Sequence, residues 1–134
     1  MASTVNGNPS RAGVYTNTTD ATVTTAAVFT TVSNKAYGVT AKIVATETAD
    51  FDEQAFYVRF ALFKNDGGTL ALVGSIATTA TIESTAGWDV TLDASGSDIR
   101  VRVTGAASTV VTWCVQLEVI EVGAWIANQG LVGG

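Results

Sequence analysis

Apolar and polar residues alternate with a period of two over most of the chain, and nowhere with the 3.6-residue period of a helix. The stretch from Trp88 to Val122 shows this most clearly. WDVTLDAS, GSDIRVRVTG and AASTVVTWCVQLEVIEV are alternating segments separated by short runs of Gly, Ser and Ala. Successive side chains on a strand point to opposite faces. Ile99, Val101 and Val103 therefore share one face, with Arg100, Arg102 and Thr104 on the other. Trp113, Val115, Leu117 and Val119 point one way, and Gln116 and Glu118 the other. The pattern predicts three strands in an antiparallel meander with one buried face.

The same period runs upstream. VYTNT forms a short strand before Asp20, and ATVTTAAVFTTVS and AYGVTAKIVATE flank the turn Ser33-Asn34-Lys35. Asn tolerates the left-handed backbone region that such a turn needs. These two segments predict a long hairpin, with Tyr37, Val39, Ala41 and Ile43 on its apolar face. Thr48 to Gln54 is a polar loop. EQAFYVRFALFK is apolar on both parities, with Phe56, Val58, Phe60 and Leu62 opposing Tyr57, Arg59, Ala61 and Phe63. Such a strand is central in its sheet or covered by another layer. Asn65-Asp66-Gly67-Gly68 is the clearest hairpin signal in the chain. About eight strands at this spacing predict an all-β fold, an antiparallel β-sandwich of jelly-roll-like type. Alternation does not yield the strand order.

Three regions follow. Residues 1–13 are small, polar and glycine-containing, with the single proline, and predict an N-terminal arm. Residues 14–122 are the β-sandwich domain. Residues 123–134 are a glycine-rich apolar tail, and a free apolar tail is a liability, so it is expected to fold back or dock on a neighbour. The candidate interaction residues are Val5, Pro9 and Arg11 in the arm, with Trp125, Ile126 and Leu131 in the tail.

Composition changes the picture in one respect. Only 14% of the 134 residues are charged, against roughly 25% in an ordinary soluble domain, and there are 21 threonines. Threonine and valine suit a pleated, half-buried surface. A surface of threonine rather than lysine and glutamate suits packing against neighbours. The net charge of −5 lacks the basic footprint of a nucleic-acid binder, so no nucleic-acid partner is expected. No apolar run approaches the ~18 residues of a membrane span and the N-terminus has no apolar leader, so no membrane partner is expected.

Candidate chemistry is sparse. One cysteine, Cys114, excludes an intrachain disulfide, and the absence of histidine excludes a Cys/His dyad. Asp50, Asp52 and Glu53 sit in one loop and offer oxygen ligands to a hard cation, but the D-x-D-x-D-G spacing is missing and a solvated loop is the simpler reading. Asp89, Asp93 and Asp98 lie at turn and outward positions, poorly placed for paired-carboxylate glycoside chemistry. Arg100 and Arg102 on one strand face read as solvated or salt-bridged. Asn17-Thr18-Thr19 matches a glycosylation sequon that arises readily by chance in a threonine-rich chain. Trp88, Trp113 and Trp125 with Tyr37 and Tyr57 are the candidates for a sugar-stacking platform, although Trp113 has core parity. No catalytic residue, cofactor or metal site is assigned.

From about Ala21 to Val122 the chain resembles small β-sandwich virion proteins of tailed bacteriophages. The features that carry this are ATVTTAAVFTTVSNKAYGVTAKIVATE, the hairpin FKNDGGTLALVGS, and AGWDVTLDASGSDIRVRVTGAASTVVTW ending in EVIEV. The resemblance implies a non-enzymatic structural protein: a capsid decoration or cement protein, a head fibre or a tail module. A short chain of one module plus two arms favours the decoration protein. That reading implies a homotrimer on the outer surface of the phage head, bound to the major capsid protein and bridging capsomers. The alternative is a tail-fibre or tail-tip receptor-binding module contacting host surface glycans.

Overall fold

A computed structural model describes residues 13–123. The alternating segments become nine strands: β1 (Val14–Thr18), β2 (Thr24–Thr30), β3 (Lys35–Glu47), β4 (Gln54–Asp66), β5 (Thr69–Leu72), β6 (Ala77–Glu83), β7 (Asp89–Ser95), β8 (Asp98–Thr104) and β9 (Val111–Gly123). The described residues contain no helix. Every pairing between strands is antiparallel. One sheet runs β1-β9-β3-β4-β5, with β6 also paired to β4 beside β5; the other runs β2-β8-β7. The expected two-sheet sandwich forms.

The period of two sets which residues fill the space between the sheets. Tyr37, Val39, Ala41 and Ile43 of β3 are buried, as are Tyr57, Ala61 and Phe63 of β4. Ile99, Val101 and Val103 meet them from β8, and Val90 and Leu92 from β7. Trp113 and Val115 of β9 are buried and Leu117 and Val119 pack partly against them. Trp113 lies between Trp88, 5.8 Å away by ring centroids, and Tyr57, stacked at 6.4 Å.

Two expectations about pairing are corrected. The segments around Asn34 do not form a hairpin: β2 pairs with β8 in the small sheet, and β3 lies between β9 and β4 in the large one. Asn34 does adopt the left-handed conformation, with φ 67°. The chain uses it to cross between layers rather than to reverse within one. Polar contacts hold the crossing. The buried Thr31 hydroxyl donates to Ser97 O at 2.7 Å and accepts from Asn65 Nδ2 at 2.9 Å, and Val32 N donates to the Tyr37 hydroxyl at 2.7 Å.

Nor is Trp88–Val122 a meander. β7 and β8 form a hairpin, but β9 leaves them and enters the large sheet between β1 and β3. The link from Gly105 to Val110 spans the sandwich, because β9 has two open neighbours in the other layer and none beside β8, which β2 already flanks. The hairpin predicted at Asn65–Gly68 is present, with Gly67 and Gly68 at φ 60° and 100°.

That link passes close to the end of β1. A Cβ on Gly105 would lie 2.6 Å from the Thr18 hydroxyl and 3.3 Å from Asp20 O. Thr18 is buried and its hydroxyl accepts from Trp113 Nε1 at 3.0 Å, so it has little freedom to yield. Gly105→Ala is therefore expected to destabilise the fold by about 1–3 kcal/mol, the usual range for overpacking, measured by urea unfolding. An unchanged midpoint would show that the link moves freely.

Candidate interaction surfaces

Val5, Pro9, Arg11, Trp125, Ile126 and Leu131 all lie outside the described residues. The described part of the molecule offers three features on which function could rest: its aromatic residues, an acidic end and the outer face of the large sheet.

The sugar-stacking platform does not form from the described candidates. Trp88, Trp113, Tyr37 and Tyr57 are all core residues, between 0% and 5% exposed. Trp125 lies outside the described region. Each buried polar tip has a partner. The Tyr57 hydroxyl donates to Glu83 at 2.5 Å, and burial, reinforced by that carboxylate, pushes its ionisation far up, so the phenol stays neutral. Exposed aromatic rings are instead Tyr15 and Phe51, each 71% accessible, and Phe60 at 43%.

Arg100 and Arg102 are occupied, as expected. Arg100 forks onto its cross-strand partner Asp93 with two bonds of 2.8 Å, and Arg102 donates to the Thr25 hydroxyl at 2.7 Å. Bidentate geometry of this kind fixes strand register more than it attracts ligands. Arg59 differs. It is 3% exposed and no carboxylate reaches it among the described residues. Its Nε donates to Val90 O at 3.1 Å, and Nη1 donates to Ala80 O at 2.7 Å and to Val58 O at 3.2 Å. The guanidinium thus ties β4 and β6 to β7 across the sandwich.

One end of the sandwich is acidic. Register places Glu47 opposite Val111, with the loop Asp50–Glu53 following it and Glu83 at the adjoining end of β6. The opposite end carries Lys35, bridged to Glu121 at 2.6 Å, and Lys64. In the loop, Phe51 sits at φ 59°, an uncommon conformation for a bulky residue, while Gln54 Nε2 donates to its carbonyl at 2.8 Å. No group of three metal-binding side chains converges among the described residues. Glu53 is engaged by the Ser84 hydroxyl at 2.7 Å.

Desolvation, joined by repulsion from Asp50, Asp52 and Glu53, raises the ionisation of Glu47 above the ordinary value of 4.5. A folded-state value above the unfolded one means that Glu47 favours the fold while protonated and loses that contribution as pH rises through its raised value. Glu47→Gln is therefore expected to raise Tm at pH 7, and the gain should vanish below about pH 4, where both states carry the proton. Asp20 has the opposite sign. The Thr22 amide donates to it at 2.9 Å and lowers its ionisation, so its contribution is lost on acidification. Thermal scans of wild type and the Glu47→Gln variant at pH 3.5 and 7 check the prediction.

The outer face of the large sheet was legible only in part. EQAFYVRFALFK predicts a central or doubly covered strand. β4 is central, with β3 on one side and β5 and β6 on the other. Its second apolar face is not covered by any described layer: Phe60 and Leu62 are 43% and 44% exposed. Across the strands, register lines up Tyr15, Cys114, Val44, Phe56 and Ile82 in one row. Beside it a shallow hollow of about 310 Å³ is lined by Thr40, Lys42, Gln116, Leu117 and Glu118.

No protein-family model matches the chain, and neither does any curated protein. Two solved structures share its fold. The tailspike protein of Acinetobacter phage vB_ApiP_P1 matches over 92% of this chain and 24% of its own length, with TM-score 0.54 and 16% identity. The tailspike protein of Acinetobacter baumannii phage AM24 matches over 85% of this chain and 27% of its own, with TM-score 0.52 and 10% identity. The chain thus spans about a quarter of each. At these identities the likeness is one of fold.

Proposed function

We propose that this chain is a structural β-sandwich module of a tailed-phage tail appendage, of the tailspike or tail-fibre kind. The observation that carries the reading is the match of 85% and 92% of this chain to a part of two phage tailspike proteins. The sequence resemblance to phage virion modules points the same way. Between the two virion locations, the neighbours favour the tail over the decorated head. Low surface charge and an apolar sheet face suit a part that works by packing against other virion proteins.

In this role the sandwich is a mount or spacer, and its buried tryptophans serve the fold rather than a receptor. Among the described residues, the exposed Tyr15, Phe51 and Phe60 are the aromatic rings free to contact host glycans. Separating disrupted virions into heads and tails, then probing each with antibody to the purified chain, tests the location. The chain is expected with the tails. Recovery with the heads would return the reading to capsid decoration. Competition of phage adsorption by excess purified chain tests the receptor role separately.

A further inference from the structure

We infer that the edge of β9 beyond Val115 is a docking edge for residues 9–12 of the same chain, which continue β1 along it. The inference stands apart from the location of the protein in a virion. β9 is paired with β3 over its full length, but β1 flanks it only from Val111 to Val115. From Gln116 to Gly123 no described strand lies on that side. An open strand edge presents a row of backbone donors and acceptors to which another strand can pair.

Burial along β9 records where the cover stops. Val111, Trp113 and Val115 face the core beside β1 and are at most 1% exposed. Leu117 and Val119 have the same parity, yet they are only half-buried. A shallow hollow of about 230 Å³, lined by Gly13, Val14, Val115, Gln116 and Leu117, opens where β1 ends. The chain still lies against β9 at that point. A Cβ on Gly13 would be 2.6 Å from Cys114 Sγ and 3.3 Å from Val115 O, so glycine permits an approach that a side chain would block.

Register and charge name the occupant. β1 runs antiparallel to β9, with Tyr15 opposite Cys114 and Val14 opposite Val115. Continued without a shift, this register sets Ala12 opposite Leu117, Arg11 opposite Glu118, Ser10 opposite Val119 and Pro9 opposite Ile120. The alternation then fits both faces. Ala12 and Ser10 take the inward parity, beside the half-buried Leu117 and Val119. Arg11, the only charged side chain in residues 1–13, takes the outward parity directly across from Glu118. Of the two acids in the uncovered stretch, Glu121 is bridged to Lys35, and Glu118 forms no ion pair with a described residue. Opposite charges directly across an antiparallel pair stabilise it. Proline is confined to edge strands, and the added strand is an edge.

Cysteine cross-linking in the full chain tests the register, with Cys114→Ser removing the native thiol. Directly opposed residues lie about 4.5–5.5 Å apart at Cβ, against about 7–8 Å for diagonal neighbours, so only the former approach disulfide geometry. Arg11→Cys with Glu118→Cys is expected to close an intramolecular disulfide at least tenfold faster than Arg11→Cys with Gln116→Cys or with Ile120→Cys. Equal rates for the three pairs overturn the inference. Disulfide-linked multimers from the first pair overturn it too, because the arm of another copy then holds the edge. Hydrogen exchange reads the charge pair. Arg11→Glu should speed exchange of the amides from Leu117 to Ile120 at least threefold, and adding Glu118→Arg should restore the wild-type rate. No acceleration, or acceleration that Glu118→Arg does not reverse, overturns the pairing.

Discussion

Trp113→Ala is expected to lower the unfolding free energy by about 3–5 kcal/mol, the largest loss from any single truncation in the core. Trp113 has no exposed surface and stands where both sheets meet, between Trp88 and Tyr57. Removing the indole deletes contacts to both rings and opens a cavity that the surrounding strands cannot collapse, since β9 is paired on both sides at this position. Domains of this size are stable by only about 5–15 kcal/mol, so the variant should sit close to its unfolding threshold. Trp113→Phe separates packing from hydrogen bonding. It keeps most of the apolar area but leaves the buried Thr18 hydroxyl without its donor, at a cost of about 1–3 kcal/mol. Thr18→Val should then cost less in the Trp113→Phe background than in wild type, and urea unfolding of the four proteins gives the coupling. Additive effects would mean that the Trp113–Thr18 bond contributes nothing.

Arg59→Met is expected to cost about 2–4 kcal/mol and roughly 10 °C in Tm, through a different mechanism. Methionine replaces much of the apolar stem, so the loss is not chiefly one of volume. The loss comes from the buried Val90 O and the half-buried Ala80 O, carbonyls that no longer receive the guanidinium. Because the arginine faces carbonyls and the Tyr57 ring, 5.1 Å away, rather than a carboxylate, shape matters more than charge. Arg59→Lys should therefore recover only part of the stability, since one ammonium cannot span acceptors on two sheets. The pairing of β4 with β6 shifts register between Val58 and Arg59, so amide exchange in β6 should accelerate before global unfolding in the methionine variant. A lysine variant as stable as wild type would show that the fork is dispensable.

Within strands, the sequence was a reliable guide to side-chain direction. Ile99, Val101 and Val103 are buried because alternation reports the face a residue occupies, whatever its strand pairs with. It was a poor guide to which strand lies beside which. The segments on either side of Asn34 have hairpin composition, yet they part because Thr31 finds Ser97 and Asn65 across the sandwich, partners 66 and 34 residues away. Long-range pairing of this sort leaves no local trace. Trp88, a stacking candidate by sequence, is buried because Trp113 comes to it from the other layer. The apolar outer face was written in EQAFYVRFALFK, but only the cross-strand register joined it to Tyr15, Val44 and Ile82.

The position of β9 has a consequence for how the chain reaches this state. Among the described strands β1 pairs with β9 alone, and Thr18 meets Trp113 across 95 residues of sequence. Until β9 has been synthesised, β1 lacks its partner among the described strands, and β3 presents an unpaired edge. Closing such distant contacts is slow on the scale of small domains, roughly milliseconds to seconds. β9 therefore acts as a latch: its arrival seats β1, covers the edge of β3 and brings Val111, Trp113 and Val115 into the core.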